Sequence, residues 1–369
     1  MRAAIGAVQE VLGGIGPHGS SGHDAVVGLP YLPELPDRGP GADMIGRSAS
    51  LLAGLNIDLQ PSGWRLVDHP GRDSGRADAL LRQDRDELAE AYDGYTGPLK
   101  VSFVGPWTLA ADVRLARGER VVGDPGASRD VAQSAAEGYG AELDRLRALV
   151  PGATWVVQVD EPSLPSVLAG RLPTSSGYGM HRAVDEEVVA RVLADFMATV
   201  KTRLSYVAAD TGLAGHARDA RGAEDDVRLE GVGGTTTRER VVVHCCASGV
   251  PLALLRGAGA DAISLDTGLL TQTGWERAAA LLESGCGLWA GLPVPSGRPS
   301  GADMVRPVER AWQALGLGAE PTRRLTLTPA CGLAGVGSPA RAVAVQRAVI
   351  EAAERLRDGV WGSAPRHPV

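Results

Sequence analysis

The sequence predicts an α/β fold: a parallel sheet closed as a (β/α)8 TIM barrel, in a single domain of residues 1–369 with a polar insertion around 208–240. Three observations predict it. Short β-branched runs are apolar on both faces instead of alternating with polar residues, as strands buried on both sides are. Long helical stretches separate them. The residues able to carry chemistry fall directly after the apolar runs, where sites form at the carboxyl ends of parallel strands.

Residues 1–45 are rich in Gly and Pro and give no clear periodicity. Strands are then expected at Leu99–Val104, Thr154–Val159, Val241–Cys245, Ala262–Leu265, Gly287–Ala290 and Leu325–Thr328, with one or two more in the N-terminal part to complete a barrel. Helices are expected at Ala127–Leu149, Asp185–Arg203, Trp275–Leu282, Met304–Leu315 and Ala340–Leu356. Alternation alone leaves a doubly wound open sheet as the second choice. From Ala208 to Arg240 the chain is polar and aperiodic, which reads as a loop insertion. The acidic run Asp84–Glu90 reads as a solvated face or loop.

The bulk numbers exclude several classes. A formal net charge of −7 argues against nucleic acid as a partner, because phosphate binding needs a basic face. No apolar run approaches the roughly 20 residues that span a bilayer, and residues 1–30 make a poor signal peptide. Cysteine usage points to a reducing compartment, so a cytoplasmic location is expected: there are 4 cysteines, two of them adjacent and beside a histidine.

His244 and Cys246 are separated by one residue at a strand end, which places both side chains on one face. Cys331 arrives after another strand. One imidazole and two thiolates are the donor set of a catalytic zinc site with an open fourth position, and sulfur ligands select zinc over magnesium or calcium. Asp266, also after a strand, is a candidate fourth ligand. The competing reading is a plain core, since free cysteine is often buried and inert. Cys245 should face away from its neighbours, and Cys286 sits near a strand start; both read as structural.

The segments VVHCCA, ISLD, LTPACGLAG and VQVDEPSL together resemble the C-terminal catalytic barrel of cobalamin-independent methionine synthases, in the short single-barrel form. The resemblance runs from about Leu32 to Ala334. It implies a zinc-dependent methyltransferase that moves a methyl group onto a thiol, with homocysteine as acceptor and methionine as product. It implies zinc ligation by His244, Cys246, Cys331 and Asp266, where the family usually carries Glu. It implies that Asp160 and Glu34 hold the substrate amine, with Gln158 and Trp107 lining the substrate pocket; Gly63–Trp64 and Gly105–Pro106 also fit its motifs.

The family's Ile-Gly-Ser segment, which holds the acceptor's carboxylate, is represented here by Ile15-Gly16-Pro17-His18. Proline lacks both the hydroxyl and an N–H. The acceptor and the methyl donor, a methyl-folate or a methylcorrinoid on or off a carrier protein, therefore stay open. Two rivals stand beside this reading: a related barrel that alkylates a different thiol or specialised metabolite, and a zinc-stabilised binding protein without catalysis.

Overall fold

The computed structural model describes residues 1–13, 26–205 and 240–361. The Ile15–His18 segment and nearly all of the 208–240 insertion lie outside the described residues.

Six parallel strands form one sheet: β3 (Gly97–Val104), β4 (Ala153–Asp160), β5 (Val241–Cys245), β6 (Ala262–Asp266), β7 (Gly287–Leu292) and β8 (Leu325–Pro329). Their spatial order is their sequence order, so every crossover steps the same way. A doubly wound sheet reverses its order at a switch point. None exists among the described residues, which form a curled half-barrel and not an open, doubly wound sheet. A separate antiparallel hairpin, β1 (Asn56–Gln60) and β2 (Gly63–Val67), precedes it.

The eight expected barrel strands are thus six among the described residues, plus one short addition. Pro30–Leu32 runs parallel beside β3, with the Lys100 N–H donating to the Pro30 carbonyl and the Leu32 N–H to the Lys100 carbonyl, both at 2.9 Å. Pro30 and Pro33 have no N–H for a ladder, so the segment stops at a single bridge.

Each strand is apolar because each is covered twice. Leu99, Val101 and Phe103 of β3 point outward into the main core under the helices, and all six residues of β7 are buried. Val156, Val242, Ala262 and Trp289, from β4 to β7, form a separate inner cluster. One of the longest covering helices starts where the sequence caps it. Asp124 accepts from the N–H groups of Gly126 and Ala127 ahead of helix Pro125–Leu149, whose first residue is proline.

Besides several short helices, one long helix is not expected from the sequence. Arg72–Ala91 buries Ser74, Ala77, Leu81, Asp84 and Leu88, a stripe spaced by three and four residues. Asp84 is therefore not part of a solvated face. It is 1% exposed and takes a two-pronged ion pair from Arg38, at 2.8 and 2.7 Å.

Candidate metal centre

β5 and β6 run side by side, with His244 in register with Ser264. The Ser264 hydroxyl stands 2.9 Å from His244 Nδ1, which fixes the ring and leaves Nε2 as the nitrogen free to ligate. Cys246 follows one residue past the end of β5. Cys245, between them, is fully buried on the opposite face, and burial pushes its thiol up to about 12.

Cys331 comes from the turn after β8. The Ala330 N–H donates to the Leu292 carbonyl at 3.0 Å, which ties that turn to the end of β7. The tie needs Gly291, because a Cβ there would stand 2.6 Å from the Leu265 carbonyl and 2.7 Å from Ala330 Cα. Cys246 Sγ and Cys331 Sγ are 3.8 Å apart. One ligand atom from each of His244, Cys246 and Cys331 lies within 4.8 Å of the others.

The donor set fits zinc. Two sulfurs bound to a tetrahedral zinc at about 2.3 Å stand about 3.8 Å from each other. Hydrogen bonding to Cys246 and His244 holds Cys331 well below the usual thiol range, while its bond to Cys331 and its burial push Cys246 up. A cation there stabilises both thiolates.

Asp266 stands apart from this group. Its carboxylate accepts from the Gly268 N–H at 2.8 Å and caps the 3-10 turn Thr267–Leu269 that follows β6. The three converging donors do not include Asp266, one of whose carboxylate oxygens is taken by the first free N–H of the turn.

Asp160 ends β4, in register with His244. Burial raises its carboxyl above the usual range, opposed by His244, Gln158 and Lys100. Glu34 follows the Pro30–Leu32 segment and so reaches the same end of the sheet. Arg47, on helix Met44–Ala49, lies 3.7 Å from it. Burial raises Glu34 too, with Arg47 opposing, and it feels the charges of Asp160 and Lys100.

Gln158 sits between Lys100 and Asp160 with both polar atoms engaged: Oε1 accepts from Lys100 Nζ at 2.9 Å and Nε2 donates to Asp160 Oδ1 at 2.7 Å. It orients Asp160 from the neighbouring position on the same strand face. Trp107 is also corrected. It is 2% exposed in the main core, and its indole donates to the Val189 carbonyl at 3.3 Å.

Glu161 explains Gly105. Its buried carboxylate accepts from the N–H groups of Trp107 and Thr108 and from the Thr108 hydroxyl, at 2.8–2.9 Å, capping helix Pro106–Asp112 from another strand. A Cβ on Gly105 would stand 2.3 Å from that carboxylate. Burial pushes Glu161 up to about 7 against those donors. Sequence reasoning missed Lys100, whose one signal was a lone cation inside an otherwise apolar strand.

No family model matches this chain, and no curated protein matches its sequence. Among solved structures it is similar to a B12-independent methionine synthase from Shewanella sp. W3-18-1 in complex with selenomethionine, at 13% identity and a TM-score of 0.45, covering 75% of this chain and 67% of that one.

Proposed function

We propose that this chain is a zinc-dependent methyltransferase acting on a thiol, with homocysteine as acceptor, methionine as product, and a methyl-folate or methylcorrinoid as donor. The half-barrel is read as the larger part of an eight-stranded barrel, working in a reducing, cytoplasmic setting. In keeping with that setting, Cys245, Cys246 and Cys331 form no disulfide, and no helix among the described residues is long and apolar enough to cross a membrane.

One observation carries the proposal: an imidazole and two sulfurs from two different strand ends converge beside a strand-end carboxylate, at one end of the sheet. Bound there, zinc supplies a Lewis-acid position at which a substrate thiol loses its proton near neutral pH. The protein's own residues do the rest. Ser264 holds the His244 ring. Cys246 and Cys331 supply two negative charges, so the centre does not quench the nucleophilicity of an added thiolate. Asp160 and Glu34 hold the acceptor's ammonium group by charge complementarity. In the net transfer a carbon–sulfur bond forms on the acceptor. The donor's bond to the methyl carbon breaks, with its electron pair staying on the donor, and the thiol proton goes to solvent.

Methionine formation from homocysteine by the zinc-loaded chain, assayed separately with methylcobalamin and with methyl-folate, tests the proposal. Turnover with one donor, lost in Cys331→Ala, is expected. Undiminished turnover in Cys331→Ala, or none with either donor, counts against it. Pro17, where the resembled family has serine, favours a second reading, in which the acceptor is a different thiol. Turnover with other thiols in the same assay distinguishes it.

A further inference from the structure

Resting on the thiol-methyltransferase reading above, we propose that Lys100 is a positioning residue for the substrate's ammonium group: acting through Gln158, it fixes Asp160 so that one carboxylate oxygen is held as a free acceptor. The observation behind it is an inward-facing cation in the middle of β3. Leu99, Val101 and Phe103 pack outward, so strand alternation turns Lys100 and Ser102 toward the barrel interior. The Lys100 backbone is clamped on both sides, by β4 and by the Pro30–Leu32 segment.

Its ammonium group donates to Ser102 Oγ at 3.1 Å and to Gln158 Oε1 at 2.9 Å, and stands 5.3 Å from the Tyr31 ring centre. Among the described residues, no carboxylate comes within ion-pair distance of it. It acts on Asp160 through its charge at a distance and, by contact, through the amide between them.

Donor and acceptor inventory fixes that amide. Lysine donates and never accepts, so the Gln158 oxygen must face Lys100 and its NH2 must face Asp160. A flipped amide would set donor against donor at Lys100 and oxygen against oxygen at Asp160. Gln158 and Asp160 are two residues apart on one strand face, so the 2.7 Å bond to Oδ1 needs no distortion. Asp160 Oδ1 is thus committed as an acceptor of an amide hydrogen. Among the described residues no protein donor takes Oδ2, which remains for a cationic group of a ligand. Without Lys100 the amide is free to turn, and Asp160 loses both its partner and its orientation.

Calorimetry on the zinc-loaded full chain tests this with two thiols, homocysteine and 4-mercaptobutyrate, which differ only by the ammonium group. The wild-type chain should bind homocysteine at least about tenfold more tightly, the value of one charge-assisted hydrogen bond. Lys100→Met should erase that preference while leaving zinc content and 4-mercaptobutyrate affinity unchanged. Lys100→Arg, which keeps a donor, should retain it. Gln158→Glu keeps Lys100 and the side-chain volume but offers Asp160 no hydrogen; it should erase the preference as well, and it decides the matter if Lys100→Met does not fold. A wild-type preference surviving in Lys100→Met or in Gln158→Glu overturns the role of Lys100 and leaves the proposed function standing. A wild-type chain that binds neither thiol overturns the function, and this inference with it.

Discussion

Gly291 and Ala330 approach so closely that a single methyl group on the glycine would stand 2.7 Å from Ala330 Cα. Ala330 is the residue before Cys331, so the side chain missing at 291 is what lets the β8 turn bring its sulfur to Cys246. Gly291→Ala is expected to displace that turn and weaken zinc binding by at least about tenfold, with a stability loss of about 1–3 kcal/mol from overpacking. Competition with a chelator and thermal unfolding read the two effects. Unchanged zinc affinity would show that the turn reaches the site without this contact.

The Ser264 hydroxyl is buried and 2.9 Å from His244 Nδ1. Partners of this kind set ring orientation, and their removal typically costs about 10–100-fold in metal affinity. Ser264→Ala should fall in that range while unfolding at nearly the wild-type temperature. Loss of stability with unchanged metal affinity would assign the hydroxyl to the core instead.

The buried Arg38–Asp84 pair makes a prediction about stability alone. Asp84→Ala leaves Arg38 without its partner, and breaking such a pair costs about 3–5 kcal/mol. Denaturant unfolding should show that loss, with zinc content unchanged. A change under about 1 kcal/mol would place the pair with exposed ion pairs of little value.

Glu161 predicts a pH dependence. Its folded-state carboxyl is raised by burial to about 7, from an ordinary value of 4.5. The folded state therefore binds the proton more tightly than the unfolded state does. The stability this adds is fully present below about pH 4.5 and is lost as pH rises through about 7. Glu161→Gln removes the titration, so wild-type stability relative to this variant should fall between pH 4.5 and 7 by on the order of 1–3 kcal/mol. A flat or rising difference would mean that the donors from Trp107 and Thr108 outweigh burial.

The strands were legible in the sequence because burial on both faces leaves an uninterrupted apolar run. Val241–Cys245 has the same limits in sequence and structure, and the other strands extend by one or two residues at one or both ends. The position of the chemistry was legible for the same reason: a polar residue just past such a run has to emerge at the sheet's carboxyl end.

Helix Arg72–Ala91 was hidden because two of its five inward positions, Ser74 and Asp84, are polar, and Asp84 is neutralised by Arg38 from 46 residues away. Trp107 reads as a pocket residue because it follows Gly105–Pro106. Its actual partner, the Val189 carbonyl, lies 82 residues on, and nothing local announces it. Asp266 reads as a ligand by its place after a strand, while nothing in its neighbours shows that one of its oxygens also caps the turn that begins at Thr267.

Zinc-edge X-ray absorption on the purified chain, with metal quantified per polypeptide, tests the central claim most directly. One zinc per chain is expected, with two sulfurs at about 2.3 Å and one imidazole among its neighbours. The sulfur count should rise to three on adding homocysteine and fall to one in Cys331→Ala. Well under one zinc per chain, or a sulfur count indifferent to Cys331→Ala, would contradict a metal centre built from His244, Cys246 and Cys331.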